Sequence, residues 1–153
     1  MMALVDRIFS IQNDTEFEQI ALEVFEYQKS NCLVYKKYID YLNWPYPTKI
    51  EEIPFLPIDF FKSQKIISEE FTQEIIFKSS GTGGKRSSHY VAQTSLYEKS
   101  FNFNYEKLLG NPQEQVILAL LPNYMEQGES SLIYMVDNLI SKSPHPLSGF
   151  VLN

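Results

Sequence analysis

Features that define several classes of protein are scarce or missing in this chain of 153 residues. Its single cysteine, Cys32, cannot form an intramolecular disulfide, and with only two histidines the chain lacks the paired ligands of a structural zinc site. No apolar run approaches the ~20 residues that a membrane-spanning helix needs, and Asp6 comes too early for a signal peptide. These absences predict a cytoplasmic protein with no membrane span and no metal site.

The composition is that of a folded chain with a ring-rich interior. Hydrophobic residues make up 44% of the sequence and charged residues 21%, which argues against a disordered protein. Aromatic residues reach 14%, almost all of them Phe and Tyr. A chain of this length can bury a real core, and we expect aromatic side chains to fill much of it.

The net charge is negative overall, but one segment of the chain contains basic residues and no acidic ones. A net charge of −6 argues against a nucleic-acid interface, because such a surface needs clustered Lys and Arg. Residues 75–97 contain no Asp or Glu, while Lys78, Lys85 and Arg86 all lie there. This gap is either a chance feature or a candidate anion site, since a small anionic ligand responds to the local field.

The first third of the chain, residues 1–52, is predicted to be helical. Apolar side chains recur at helical spacing in two stretches. They are Phe17, Ile20, Ala21, Val24 and Phe25 in the first stretch, and Tyr35, Tyr38, Ile39 and Leu42 in the second. Asn13 or Asp14 can cap the first helix. The second helix must stop near Trp44, because Pro45 and Pro47 follow and a residue before proline avoids helical angles.

Residues 53–153 show a different pattern, in which strands and helices alternate. Strands are predicted at 65–67, 71–77, 88–93 and 116–121, and again from 149 onward. Helices are predicted from a Ser95 cap to Gly110 and over 130–140. The apolar run 116–121 is typical of a strand buried on both faces. The fold class is therefore α/β, with a helical N-terminal region followed by a largely parallel sheet flanked by helices.

The sequence ends on the strand-like residues Gly149-Phe150-Val151-Leu152-Asn153. A buried strand there, with no helix to close it, favours the front part of a larger α/β domain. The alternative is a complete small domain whose last strand lies at a sheet edge.

One segment, residues 77–88, combines residue types that can bind a ligand. Three glycines within four residues are surrounded by four serines and one threonine, and Lys85 and Arg86 follow the glycines. Glycine lets the backbone turn so that successive N–H groups point into one concavity, and hydroxyls add rotatable donors. Amides, hydroxyls and two cations together suit the oxygens of a triphosphate.

Neither of the two common phosphate-binding motifs fits this segment. A Walker A loop, G-x-x-x-x-G-K-S/T, would need glycine where Ser79 stands and a hydroxyl residue where Arg86 stands. A dinucleotide fingerprint, G-x-G-x-x-G, needs glycine at position 86 and a helix directly afterwards, whereas a strand-like run follows here. The residues alone leave two interpretations open, a phosphate-binding loop and a plain hairpin turn.

The loop resembles one found in a known superfamily. Ser79-Ser80-Gly81-Thr82-Gly83-Gly84 is similar to the Ser/Thr-Ser-Gly-Thr-Thr-Gly loop of the adenylate-forming (ANL) enzymes. Further segments resemble, in order and spacing, LuxE-type acyl-protein synthetases, the long-chain-fatty-acid–luciferin-component ligases. They are Ile53-Pro54-Phe55-Leu56-Pro57, Phe60-Phe61-Lys62, Ser87-Ser88-His89-Tyr90-Val91, Leu120-Leu121-Pro122-Asn123-Tyr124 and Ser130-Ser131-Leu132-Ile133-Tyr134-Met135-Val136. The resemblance covers the chain from about Ile53 to its end and is weaker before that.

The resemblance implies an activity, its cofactors and its partners. Such enzymes join a fatty acid or other carboxylic acid to ATP with Mg²⁺, and then pass the acyl group from the acyl-adenylate to a cysteine thiol of the enzyme. An acyl-accepting reductase or carrier protein is a further implied partner. The implied domains are a helical region over 1–52 and the start of the ATP-binding α/β domain over 53–153.

The same resemblance implies which residues bind the nucleotide. They are Ser79, Ser80, Gly81, Thr82, Gly83, Gly84, Lys85 and Ser87, with Arg86 assisting at the rim of the loop. Thr82 is the best single hydroxyl contact, because it matches the first threonine of the family loop.

The chain departs from the family pattern in two respects. Gly83 replaces the second threonine of the loop, which removes one hydroxyl donor and should weaken phosphate binding. The family's ribose-binding acid, Mg²⁺-orienting acid, catalytic lysine and acyl-accepting cysteine have no counterpart here, so we expect no catalytic residue in this segment and no turnover by this chain alone. Cys32 does not match that nucleophile and is expected to be a buried structural cysteine.

Two further residues and two further functions stay open. His89 follows the loop in a predicted strand, where it can contact a phosphate or form structural hydrogen bonds. Tyr124 lies past the carboxyl end of another predicted strand, where open α/β sheets bind ligands, but it is equally an ordinary loop residue. The alternative functions are a phenylacetate-CoA-ligase-like enzyme, which passes the acyl group to CoA, and a non-catalytic module that binds a nucleotide or a partner.

Overall fold

The computed structural model describes residues 2–79, 86–122 and 129–152. The chain divides into two compact units, Met1–Thr72 and Gln73–Asn153, here called unit 1 and unit 2. The described part of unit 1 is helical, and that of unit 2 contains both helices and strands. None of the described helices combines the length and the apolar character that crossing a membrane requires.

The structure confirms two predictions for unit 1, the cap of one helix and the end of another. The helices of unit 1 are α1 (Met2–Ile8), α2 (Asp14–Asn31), α3 (Leu33–Leu42) and α4 (Phe60–Ser63), with a 3-10 turn at Ile50–Glu52. Asn13 caps α2, because its Oδ1 accepts a hydrogen bond from the Glu16 N–H at 2.9 Å. The second predicted helix ends as expected at Leu42, followed by Asn43 in the left-handed conformation with φ 47°.

An aromatic core joins α2 to α3. The residues buried in it are Phe25, Cys32, Tyr35 and Ile39, so Cys32 is buried as predicted. The Tyr35 hydroxyl donates to the Pro54 carbonyl oxygen at 2.8 Å, and burial raises the pKa of Tyr35 to about 12. The proline-containing segment that follows α3 covers this core with Ile53, Leu56 and Ile66.

Unit 2 contains one antiparallel and one parallel pair of strands among its described residues. Its elements are β1 (Ile75–Lys78), β2 (Ser88–Val91), α5 (Thr94–Leu109), a 3-10 turn at Pro112–Glu114, β3 (Leu118–Pro122), α6 (Ser131–Lys142) and β4 (Gly149–Leu152). β1 pairs antiparallel with β2, and β3 pairs parallel with β4. The chain is thus a mixed α/β protein, as predicted, with small sheets. The strand predicted over 65–67 is wrong, because these residues have no strand partner in the described chain.

Phe77 is the centre of the core of unit 2. It is 3% exposed, and its ring centroid lies 5.2 Å from that of Tyr97 on α5 and 5.4 Å from that of Tyr134 on α6. The Tyr134 hydroxyl donates to Glu98 Oε1 at 2.6 Å, and this hydrogen bond raises the pKa of Tyr134 to about 12. Both long helices of the unit therefore hold the strand that leads into the Ser/Thr/Gly loop.

A distant carboxylate caps α5. Glu74 Oε2 accepts hydrogen bonds from the Thr94 N–H at 2.8 Å and from the Thr94 hydroxyl at 2.6 Å, and these two bonds lower the pKa of Glu74. The predicted Ser95 cap is wrong, because the pairing of β1 with β2 brings Glu74 to the helix start from 20 residues away.

Among the described residues, the two faces of β3 differ in burial. Ala119 is 5% exposed, whereas Leu118 and Leu120 are 56% and 74% exposed. The prediction that both faces of this strand are buried is therefore wrong, because the described part of the chain packs side chains over the face of Ala119 and leaves the face of Leu118 and Leu120 exposed.

Gly110 ends α5 and provides a first prediction. Its backbone φ is 95°, an angle that residues with a side chain rarely adopt. A Cβ added at this position would lie 3.3 Å from Gln115 Nε2. Gly110→Ala should therefore lower the free energy of unfolding by about 1–3 kcal/mol, measured by urea denaturation. Gly149→Ala is the matched control, since an added Cβ there meets nothing within 4 Å. Equal losses in the two variants would contradict the prediction.

Candidate functional site

The structure describes the base of the predicted nucleotide-binding loop. Ser79 and Ser87 belong to the described residues, as does Arg86. The other predicted ligands of the nucleotide, Ser80, Gly81, Thr82, Gly83, Gly84 and Lys85, lie outside the described residues, and so does Tyr124. The geometry of the site is therefore built here from the residues at which the loop leaves β1 and enters β2.

Two hydrogen bonds close the base of the loop. The Ser79 N–H donates to the Ser87 carbonyl oxygen at 3.1 Å, and the Ser87 N–H donates to Ser79 Oγ at 3.0 Å. These bonds continue the antiparallel pairing that ends with Lys78 opposite Ser88. The connection between the strands is longer than the turn of about two residues found in tight hairpins, so a hairpin geometry and a ligand-binding loop are compatible here.

Three charged side chains meet at this base, and we call Lys78, Arg86 and Glu129 the loop-base cluster. Lys78 Nζ forms an ion pair with Glu129 Oε1, and Arg86 Nη1 donates to Glu129 Oε2 at 2.8 Å. Arg86 Nε also donates to the Ser79 carbonyl oxygen at 2.5 Å. Two cations from the loop strands thus share one carboxylate from a distant part of the chain.

Glu129 is fixed by its main chain and stands at the start of a helix. The Lys78 N–H donates to the Glu129 carbonyl oxygen at 2.8 Å. The next residue, Ser130, is the N-cap of α6, and its Oγ accepts from the Ile133 N–H at 3.4 Å. Because the N-terminal end of a helix carries partial positive charge, this position favours an anion.

The electrostatics of the loop-base cluster favour an anion as well. The hydrogen bond from Lys78 lowers the pKa of Glu129 most, and Arg86 lowers it further, so the carboxylate is ionised at neutral pH. The cluster then carries two positive charges and one negative charge. The side chains of Lys78, Arg86 and Glu129 are 38%, 42% and 30% exposed, so a dissolved ligand can reach them.

His89 belongs to the same sheet and is an exposed residue whose ring contacts one aromatic side chain of the core. It lies opposite Phe77 in the strand register, and its ring centroid is 6.4 Å from that of Tyr97. Burial lowers the pKa of His89, although part of the residue is exposed. Burial thus favours the neutral imidazole over the cation, and a phosphate contact by His89 stays a prediction.

The described residues do not provide a metal site. Nowhere in 2–79, 86–122 and 129–152 do three His, Cys, Asp or Glu side chains converge on a point that a metal ion could occupy. Mg²⁺ prefers carboxylates and phosphate oxygens, and the one carboxylate of the loop-base cluster already contacts two cations. These side chains therefore suit an anionic ligand better than a metal cation.

Sequence reasoning missed Glu129. Arg86 and Lys78 both lie in the acid-free segment 75–97, but their partner comes 43 and 51 residues later. The only local signal is an acidic residue directly before the Ser130-Ser131 start of a helix. Nothing in that pattern indicates which cations the carboxylate will meet.

No family model, curated protein or solved structure matches this chain. The resemblance to LuxE-type acyl-protein synthetases therefore depends on the sequence motifs alone and stays a prediction. The geometry adds to it a pair of cations and a carboxylate at the base of the Ser/Thr/Gly loop.

Proposed function

We propose that this chain supplies the nucleotide-binding part of a ligase that activates a fatty acid or other carboxylic acid with ATP. The acyl-adenylate then passes its acyl group to a protein thiol. The observation that carries the proposal is the loop-base cluster, which gathers Lys78 and Arg86 where a loop rich in Ser, Thr and Gly leaves its strands. The motifs shared with LuxE-type acyl-protein synthetases support the choice of reaction.

The chemistry needs positioning and charge neutralisation more than acid–base groups. A carboxylate oxygen of the acid attacks the α-phosphorus, a new P–O bond forms, and the bond to the departing pyrophosphate breaks. The negative charge of the triphosphate requires nearby donors and cations. In the proposal, Lys78 and Arg86 contact the β- and γ-phosphate oxygens, together with loop amides and the Thr82 hydroxyl.

The topology of the described strands supports this kind of site. The loop joins β1 to β2 in an antiparallel pair, whereas Walker A and dinucleotide loops lead from a strand into a helix. In the proposal, β3, α6 and β4 begin the largely parallel sheet of an adenylate-forming domain, since β3 and β4 already pair in parallel across a helical crossover.

Pyrophosphate exchange tests the proposed reaction. The whole chain is incubated with ATP, Mg²⁺, labelled pyrophosphate and a panel of fatty acids, and ATP binding is measured in parallel by titration calorimetry. Acid-dependent exchange supports adenylate formation, and a thioester on protein rather than on CoA separates the acyl-protein synthetase from the phenylacetate-CoA-ligase-like alternative. Absence of ATP binding would refute the proposed function.

Removal of the Thr82 hydroxyl tests the assignment of the loop. Thr82→Ala should weaken ATP binding roughly 10–100-fold, because a hydrogen bond to a charged group is worth about 1.5–3 kcal/mol. Thr72→Ala, an exposed threonine of unit 1, is the matched control and should bind ATP as the parent chain does. Unchanged affinity in Thr82→Ala would favour a plain turn.

A further inference from the structure

We propose that Glu129 is an internal competitor of phosphate, whose carboxylate occupies the two cations of the loop until a phosphate ligand displaces it. This inference rests on the proposed function and adds to it a means by which the chain limits its own affinity. Glu129 then lowers the affinity for every ligand that binds through phosphate, and its removal raises that affinity.

The first support is that the carboxylate uses both of its oxygens. Oε1 pairs with Lys78 Nζ, and Oε2 accepts from Arg86 Nη1 at 2.8 Å. The oxygens of a phosphate group are also negatively charged, and they can accept hydrogen bonds from the same two donors. Ligand phosphate and Glu129 therefore compete for the same two side chains.

The second support is that displacement is easy. All three side chains are partly exposed, at 38%, 42% and 30% for Lys78, Arg86 and Glu129, and ion pairs in such surroundings are weak. Released side chains regain contact with water. A phosphate that approaches without displacing the carboxylate is repelled by it, because like charges at short range disfavour each other.

The third support is that the main chain stays in place when the side chain leaves. The hydrogen bond from the Lys78 N–H to the Glu129 carbonyl oxygen, 2.8 Å long, does not involve the carboxylate. The start of α6 after Ser130 also remains, and a helix N-terminus favours the incoming anion as it favours Glu129. The site keeps its shape while one anion replaces the other.

A purely structural role for Glu129 predicts the opposite result. If the carboxylate mainly holds Lys78 and Arg86 in position for the ligand, its removal disperses the cations and weakens phosphate binding. If the carboxylate instead competes with the ligand, its removal strengthens binding by one common factor for all ligands that must displace it. The two roles therefore differ in the sign of one measurement.

The test uses the whole chain, with ATP, inorganic tripolyphosphate and adenosine titrated separately at fixed ionic strength. Glu129→Gln should raise the affinity for ATP and for tripolyphosphate by a similar factor of about three to ten, and leave adenosine unaffected. Glu106→Gln removes one negative charge from an exposed position on α5 and serves as the control, with unchanged affinities. Unchanged or lower affinity in Glu129→Gln would overturn the inference.

A second variant keeps the inference testable if Glu129→Gln fails to fold. Glu129→Asp keeps the charge but shortens the side chain, so it cannot reach both cations, and its affinity should lie between those of the parent and Glu129→Gln. Parent-like affinity in a folded Glu129→Asp chain would also overturn the inference. If both variants bind tripolyphosphate more tightly than the parent but no form of the chain binds ATP, the competition stands and the proposed ligase function fails. If neither the parent nor the variants bind ATP or tripolyphosphate, both fail.

Discussion

Phe25→Ala is expected to lower the free energy of unfolding of unit 1 by about 3–5 kcal/mol. The ring is 3% exposed, and its edge contacts place its centroid 6.1 Å from that of Tyr35 and 5.9 Å from that of Tyr46. The ammonium of Lys29 lies 5.9 Å from the same ring. Truncation leaves a cavity between α2 and α3 and removes these aromatic contacts together.

The single tryptophan makes this loss measurable in unit 1. Trp44 lies in that unit and its indole N–H donates to the Glu52 carbonyl oxygen at 2.7 Å, so its fluorescence should change when unit 1 unfolds. Urea denaturation followed by this signal gives the loss directly. Phe17→Ala is the matched control on the same helix, because Phe17 is 51% exposed and should lose less than about 1 kcal/mol. A similar loss in both variants would show that the described core does not stabilise the unit.

Phe77→Ala is expected to have an effect of the same size in unit 2. This ring contacts Tyr97 and Tyr134, at 5.2 and 5.4 Å between centroids, and it is 3% exposed. Its loss should lower the free energy of unfolding by about 3–5 kcal/mol. Because Lys78 is the next residue, the proposed function further predicts that the variant binds ATP more weakly than the parent chain under conditions in which it remains folded.

Circular dichroism during urea denaturation measures this second loss. Leu120→Ala in the same unit is the control, since that side chain is 74% exposed and its truncation should change stability by about 0.5 kcal/mol or less. A Phe77→Ala chain as stable as the Leu120→Ala chain would contradict the position of Phe77 at the centre of the core.

Three helix ends were predictable because their signals are local. Asn13 caps α2 through an amide three residues ahead, and Gly110 ends α5 through its own backbone angle. The prolines after Trp44 stop α3 by steric effects on their neighbour. None of these signals depends on what the helix packs against, so the sequence contains them in full.

Burial of strand faces was not predictable to the same extent. The strand predicted over 71–77 is observed only from Ile75 onward, as β1. Phe71 and Gln73 are less exposed than their neighbours, but Ile76 is half-buried like Ile75, so the period of two does not hold along the whole segment. The apolar run 116–121 could not reveal that Leu118 and Leu120 stay exposed, because burial depends on which element covers each face. The same holds for Glu74, which replaces the expected Ser95 cap through the pairing of two strands.

The sequence predicts the loop and the cations of the candidate site, but not its carboxylate. The loop and its cations could be found from their composition, since glycines, hydroxyls and basic residues lie within one short segment. Glu129 joins them through contacts that span 43 and 51 residues. Long-range pairing of this kind depends on how β1 and the start of α6 come together, which no local pattern specifies.

The two strand pairs of unit 2 differ in the length of chain that each must close during folding. Leu118 meets Gly149 across a connection more than twice as long as the one between Phe77 and His89. The extra loop-closure entropy amounts to about 0.8 kcal/mol. Pairing β3 with β4 therefore costs more conformational entropy than pairing β1 with β2, and α6, which is shorter than the same residues in an extended chain, reduces the distance that remains to be closed.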